Sequence, residues 1–266
     1  MILKEWQEAR WKLAVGVALA LAMGVMIPLD TLFPHAYSLF GEPANVVAPS
    51  PREDAGYLEY LLWSQWFTEA SGNLILMLAA TILGAGLVSD EANRGTLFLV
   101  LNRPVTRERL LLIKYTINAG ALLAISLLGS IALLATTAAS GYPQDVGGVL
   151  VSAVLMWLGL LFVLGTAILL SIILNNTLLA VAGTFGVWVV TSIVPAFVAQ
   201  QVAVFFLSSQ SEFPATLFDA LAVSPYWSSL PAYSGNSFPT TQLLVSLLIA
   251  AVPLLLALRV FKQKNY

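Results

Sequence analysis

Apolar residues fill six long segments of the chain, and most of the charged residues fall in the stretches between them. The segments run over about residues 13–33, 70–89, 115–139, 148–174, 178–200 and 241–258, each near the roughly 20 residues that cross a bilayer as a helix. No charge occurs from Val146 to Ser211, a run of 66 residues, so at least two crossing helices share it. Asn175, Asn176 and Thr177 break that run and predict a tight helical hairpin. No sustained apolar and polar alternation points to a barrel, and helices are the other way to satisfy every backbone group in lipid. The predicted fold is all-α and integral to the membrane: six transmembrane helices in one domain spanning residues 1–266, without internal repeats. Six spans put both termini on one side.

Composition agrees: the chain is 59% hydrophobic and 10% charged, with a mean hydropathy of +0.86, against about 25% charged residues in soluble domains. The net charge of -2 matters less than where the charges sit. Lys4, Arg10 and Lys12 precede the first span, five basic residues separate the second and third, and Arg259, Lys262 and Lys264 follow the sixth. Eleven of the twelve basic residues thus share one face, and only Arg52 falls on the other. The positive-inside rule makes the shared face cytoplasmic, together with both termini, in a multi-pass membrane protein. Residues 1–30 carry Glu5 and Glu8 ahead of a 17-residue apolar run from Leu13 to Leu29. They read as a retained first span rather than a cleaved signal peptide.

Three segments are more than plain connections. The start, MILKEWQEARWK, is amphipathic in helical register, with Trp6, Arg10 and Trp11 as its anchors. It reads either as an N-terminal interfacial helix or as an aromatic-belted end of the first span. Residues 34–69 form an outer excursion ending in aromatic positions Tyr57, Tyr60, Trp63 and Trp66. Residues 208–240 are semi-apolar but broken by Pro214, Pro225 and Pro231, which predicts a short outer re-entrant or interfacial segment between spans five and six.

Several kinds of chemistry are missing from the sequence. With no cysteine and a single histidine, His35, the chain has no disulfide, no thiolate nucleophile and no predicted metal site. There is no basic, aromatic-interleaved surface for nucleic acid. No carboxylate or basic group falls near mid-membrane, where ion-coupled transport usually keeps one; Asp30 and Glu69 stand at span ends. Asn73, Asn118, Ser126, Thr136, Ser152, Thr166, Ser171, Thr184, Thr191 and Ser192 lie inside spans, where hydrogen bonds between helices are their ordinary use. Ala80 with Gly84, and Gly120 with Ala124, are small-residue pairs suited to close helix contact. The phosphate-binding pattern GxxxxGK[ST] is absent. Any work on a substrate therefore draws its energy from a partner.

One stretch concentrates charge. EANRGTLFLVLNRPVTRERLLLIKY, residues 91–115, holds Arg94, Arg103, Arg107, Arg109 and Lys114. Asp90 and Glu91 suit the positive N-terminal end of a short helix, and Leu97, Phe98 and Leu101 give that helix an apolar face. Pro104 stops it, and Thr106 can cap a following helix that runs into the third span. A loop obeying topology alone explains the arginines but neither the apolar face nor the punctuation.

Glu91, Gly95-Thr96-Leu97, Pro104-Val105-Thr106-Arg107 and Lys114-Tyr115, directly after the second span, resemble the cytoplasmic signature of ABC-2-type permeases, the membrane subunits of type V ABC exporters. Ser224-Pro225-Tyr226 in the outer segment is similar to a further element of that family. Phe98 departs from the Glu of many relatives, and Asn102-Arg103 from their small residues. The resemblance implies a half-transporter. Glu91, Arg94, Gly95, Thr96, Leu97, Phe98, Leu101, Pro104 and Arg107 would form a cytoplasmic coupling helix and its flanks, docking a cytoplasmic ABC ATPase subunit. Two ATPase copies would bind ATP and Mg, two permease copies would pair, as a homodimer by preference, and this chain would itself hold no cofactor. From another class, a membrane scaffold or sensor would use the same segment only to dock a partner. An adjacent coding sequence for an ATPase favours transport, and one for a kinase or other enzyme favours the scaffold.

Overall fold

A computed structural model describes residues 2–32, 70–93, 95, 106–139, 146–193 and 240–264. They form six α-helices: α1 (Ile2–Leu32), α2 (Ala70–Asn93), α3 (Arg107–Ala139), α4 (Val146–Leu174), α5 (Thr177–Trp188) and α6 (Thr240–Gln263). A π-helical turn, Val189–Ile193, continues α5. No strand occurs among the described residues. Within them, Ile75–Asn93, Arg107–Ala139, Val146–Leu174 and Leu243–Gln263 are long and apolar enough to cross a membrane. Of the segments predicted to be outer, 34–69 lies wholly outside the described residues and 208–240 does so up to residue 239.

The N-terminal segment and the first predicted span are one uninterrupted helix, about 46 Å long at the α-helical rise of about 1.5 Å per residue. Trp6, Arg10 and Trp11 therefore belong to the first turns of α1 rather than to a separate N-terminal amphipathic helix.

The third helix starts at Arg107, ahead of the predicted span boundary at residue 115, because Thr106 caps it as the sequence predicts. The Thr106 hydroxyl accepts from Arg109 N at 3.4 Å, and its carbonyl accepts from Leu110 N at 3.0 Å. Between α4 and α5, Asn175 takes the left-handed conformation with φ 51, a conformation asparagine tolerates at a helix end. Asn176 then caps α5 by accepting from Leu179 N at 3.2 Å. Two adjacent asparagines thus make the hairpin.

Helix α4 occupies the centre, touching α2, α3, α5 and α6, while α1 lies against α3 and α2. Its buried positions, from Val149 and Ala153 to Ile168 and Ile172, occur on every side, as expected of a helix apolar all round. Small residues bring its neighbours close: a Cβ on Gly84 of α2 would lie 2.6 Å from Ala167 Cβ and 2.9 Å from the Leu164 carbonyl. Gly165 likewise makes room for the ring of Pro253 in α6, 3.1 Å from its own absent Cβ. Gly120 differs from the expectation, for it is exposed and nothing described lies within 4 Å of where its Cβ would be.

Several polar side chains expected to bond between helices bond within their own helix. Thr136, Thr166, Thr184 and Thr191 donate to the carbonyl four residues back, at 2.7–2.8 Å, as does the Asn118 amide to Lys114 O. The nearest acceptor is their own helix, which satisfies the hydroxyl without requiring a neighbour. Ser126 is an exception, donating from α3 to Ala153 O of α4 at 3.2 Å, beside the Trp157 indole of α4, which donates to Ala119 O at 2.9 Å.

Candidate functional site

The chain direction alternates so that one end of the bundle collects the end of α2, the start of α3, the α4–α5 hairpin and the end of α6. Lys12 of α1 also reaches it, donating to Ile82 O at 3.5 Å. This end carries nearly all the charge among the described residues, and the 91–115 stretch enters and leaves the bundle here.

Asp90 and Glu91 occupy the last turn of α2, not the first turn of a short helix as the sequence suggests. A carboxylate there opposes the negative end of the helix dipole, so both need compensation from outside the helix. For Glu91 it comes from Lys114 of α3, whose Nζ lies 3.0 Å from Oε1. Lys114 Nζ also donates to Leu87 O at 3.4 Å. Both residues are deeply buried, 6% exposed for Glu91 and 2% for Lys114. For Asp90 it comes from the Thr177 hydroxyl at the start of α5, which donates to Oδ1. Lys12 is close by too: its Nζ and Asp90 Oδ2 crowd the same face of Gly86, 3.3 and 2.6 Å from where a Cβ would sit. Ser89 Oγ lies 2.8 Å from Thr177 Oγ1, and Ser89 N donates to Ser171 Oγ of α4 at 3.0 Å. The end of α2 is thereby fixed to α1, α3, α4 and α5 at once.

Gly95 is the turn that ends α2. Its φ is 69, its N–H donates to Ala92 O at 3.1 Å, and it is exposed. A positive φ of this size favours glycine. Arg107, the first residue of α3, donates from its guanidinium to Lys264 O at 2.6 Å. Glu108 next to it pairs with Lys262 at 3.0 Å. Arg94, Thr96, Leu97, Phe98, Leu101 and Pro104 lie outside the described residues, as does the side chain of Trp6. Arg10 and Trp11 are exposed and remote from the Glu91–Lys114 pair in sequence.

Sequence reasoning missed Lys264 and Asn175. The Lys264 ammonium donates to the carbonyls of Ile172 and Ile173 and to Asn175 Oδ1. Burial against these groups pushes it below its ordinary pKa. In the sequence Lys264 is only one of three basic residues after the last span, and charge counting does not separate it from the others.

The described fold defines a helical, multi-pass membrane protein with an apolar body and one end of interlocked charges. A family model for ABC-2 family transporter proteins matches residues 9–266, and the chain belongs to that family. It is therefore a membrane transport component of a family whose members generally work with an ATPase subunit. Among curated proteins no significant match was found.

Proposed function

We propose that this chain is the permease subunit of an ATP-driven ABC exporter, moving an amphipathic or apolar cargo outward with energy from a separate ATPase subunit. The observation that carries the reading is the anchoring of both flanks of residues 96–105. On one side, Glu91 at the end of α2 is paired with Lys114; on the other, Arg107 at the start of α3 is tied to Lys264. A force applied to the intervening segment would reach two helices without being lost in slack. Leu97, Phe98 and Leu101 supply the apolar face for a groove on the ATPase, and the neighbouring basic residues stay in the cytoplasm.

In this reading six spans place both termini in the cytoplasm of a bacterial or archaeal cell, two copies of the chain pair side by side, and each receives one ATPase. The cargo class follows from the lack of charges along the spans, since a desolvated ion requires compensating polar groups. The test is co-purification with the ATPase. Anchors at the desolvated centre of an interface dominate affinity and rim charges contribute little, so Leu97→Asp should lose about 2–4 kcal/mol of docking and Arg109→Gln much less. Pro104→Ala should keep the partner and weaken stimulation of ATP hydrolysis. Equal retention of partner and activity in Leu97→Asp and the unaltered chain would return the stretch to a topological signal.

A further inference from the structure

We propose that Lys264 is a positioning residue that passes motion from the start of α3 to the α4–α5 hairpin, so that the end of the chain acts as a relay clasp. The inference rests on the coupling reading above and extends it to two helices that the 91–115 stretch does not contain.

The geometry joins three elements through one residue. Lys264 lies just past the last turn of α6, its N–H donating to Val260 O at 3.0 Å. Its ammonium closes the end of α4 by taking up the carbonyls of Ile172 and Ile173, two of the acceptors a helix C-terminus leaves without intrahelical donors. It also holds Asn175 Oδ1 at 2.9 Å, the side chain of the residue whose left-handed backbone turns the chain into α5. Its carbonyl receives the Arg107 guanidinium at 2.6 Å. Arg107 thus binds the peptide oxygen of Lys264, while the ammonium binds oxygens of the end of α4 and of the hairpin residue Asn175.

The second contact between α3 and α6 carries far less. Lys262 and Glu108 are 69% and 49% exposed, and exposed pairs of that kind are weak and screened by salt. The arm through Lys264, part-buried and held by several bonds at once, is the stiffer one. Without it, displacement of α3 reaches α5 through α2, by way of the Glu91–Lys114 pair and the Asp90–Thr177 bond, and through the apolar flank of α4, but no longer through the end of α4 itself.

The experiment uses the chain in complex with its ATPase in lipid nanodiscs, with Leu178→Cys as the reporter. Leu178 is 79% exposed and lies one residue into α5 beyond its start, no other cysteine of this chain competes, and labelling is read on this chain's own band. The rate of labelling by a soluble maleimide is compared without nucleotide and after trapping with Mg-ATP and vanadate. The expected result is a nucleotide-dependent change in rate that shrinks clearly in Lys264→Met and returns in Lys264→Arg, which keeps the charge and the donors. A merely structural role would lower thermal stability and leave the nucleotide-dependent ratio intact. Should Lys264→Met fail to accumulate, Asn175→Gly keeps the left-handed backbone, removes one acceptor of the ammonium, and should shrink the ratio. A full nucleotide response in Lys264→Met with the ATPase bound overturns the clasp and leaves the coupling reading standing. Absence of the ATPase from the unaltered complex overturns the coupling reading itself.

Discussion

Replacing Lys114 by methionine removes the ammonium 3.0 Å from Glu91 Oε1 while keeping a long, unbranched side chain in the same place. Both residues are almost wholly shielded, at 2% and 6% exposure, so the carboxylate cannot recover its loss from water. Breaking a buried pair by deleting one partner costs about 3–5 kcal/mol, whereas an exposed pair contributes about 0–1 kcal/mol. At about 2–4 °C per kcal/mol for a chain of this size, Lys114→Met should melt roughly 6–20 °C below the unaltered protein. Lys262→Met, which deletes the exposed partner of Glu108, should shift it by only a few degrees at most. The double variant Glu91→Met with Lys114→Met should recover much of the loss, because it leaves no charge stranded among apolar neighbours. The assay is the intrinsic fluorescence melt of each purified variant in one detergent, the chain carrying seven tryptophans. If the double variant lost the sum of the two single losses, or if Lys114→Met melted with Lys262→Met, burial would not be what sets the cost.

Two further outcomes follow from the fold. In the same melt, Gly84→Val should lose about 1–3 kcal/mol by overpacking, because its added Cβ meets Ala167 and the Leu164 carbonyl at under 3 Å; Gly120→Ala, with open space around it, should be neutral or gain up to about 1 kcal/mol. For topology, a membrane-impermeant thiol reagent applied to intact cells should label Asp54→Cys and spare Arg103→Cys until the membrane is opened, and the reverse pattern would overturn the cytoplasmic placement of residues 89–114.

The sequence by itself determined the helical membrane class, the break at Asn175 and Asn176 and the capped start of α3 at Thr106. These are local matters. An uncharged run, a side chain that bonds a backbone N–H three residues on, and an asparagine at a helix end each act within a turn or so of themselves, so the order of residues displays them directly. Of the candidate site it marked the cap at Thr106, but misassigned Asp90 and Glu91 because they read equally well as the start of a short helix or the end of a long one. Only the tertiary structure decided that α4 lies at the centre, that Gly84 is packed and Gly120 open, and that Arg107 meets Lys264 across 157 positions of sequence. A helix apolar on all sides carries no polar stripe to say which side faces a neighbour, and partners far apart in sequence are chosen by how such helices stack. The tie between the coupling stretch and the end of the chain is therefore a property of the packing.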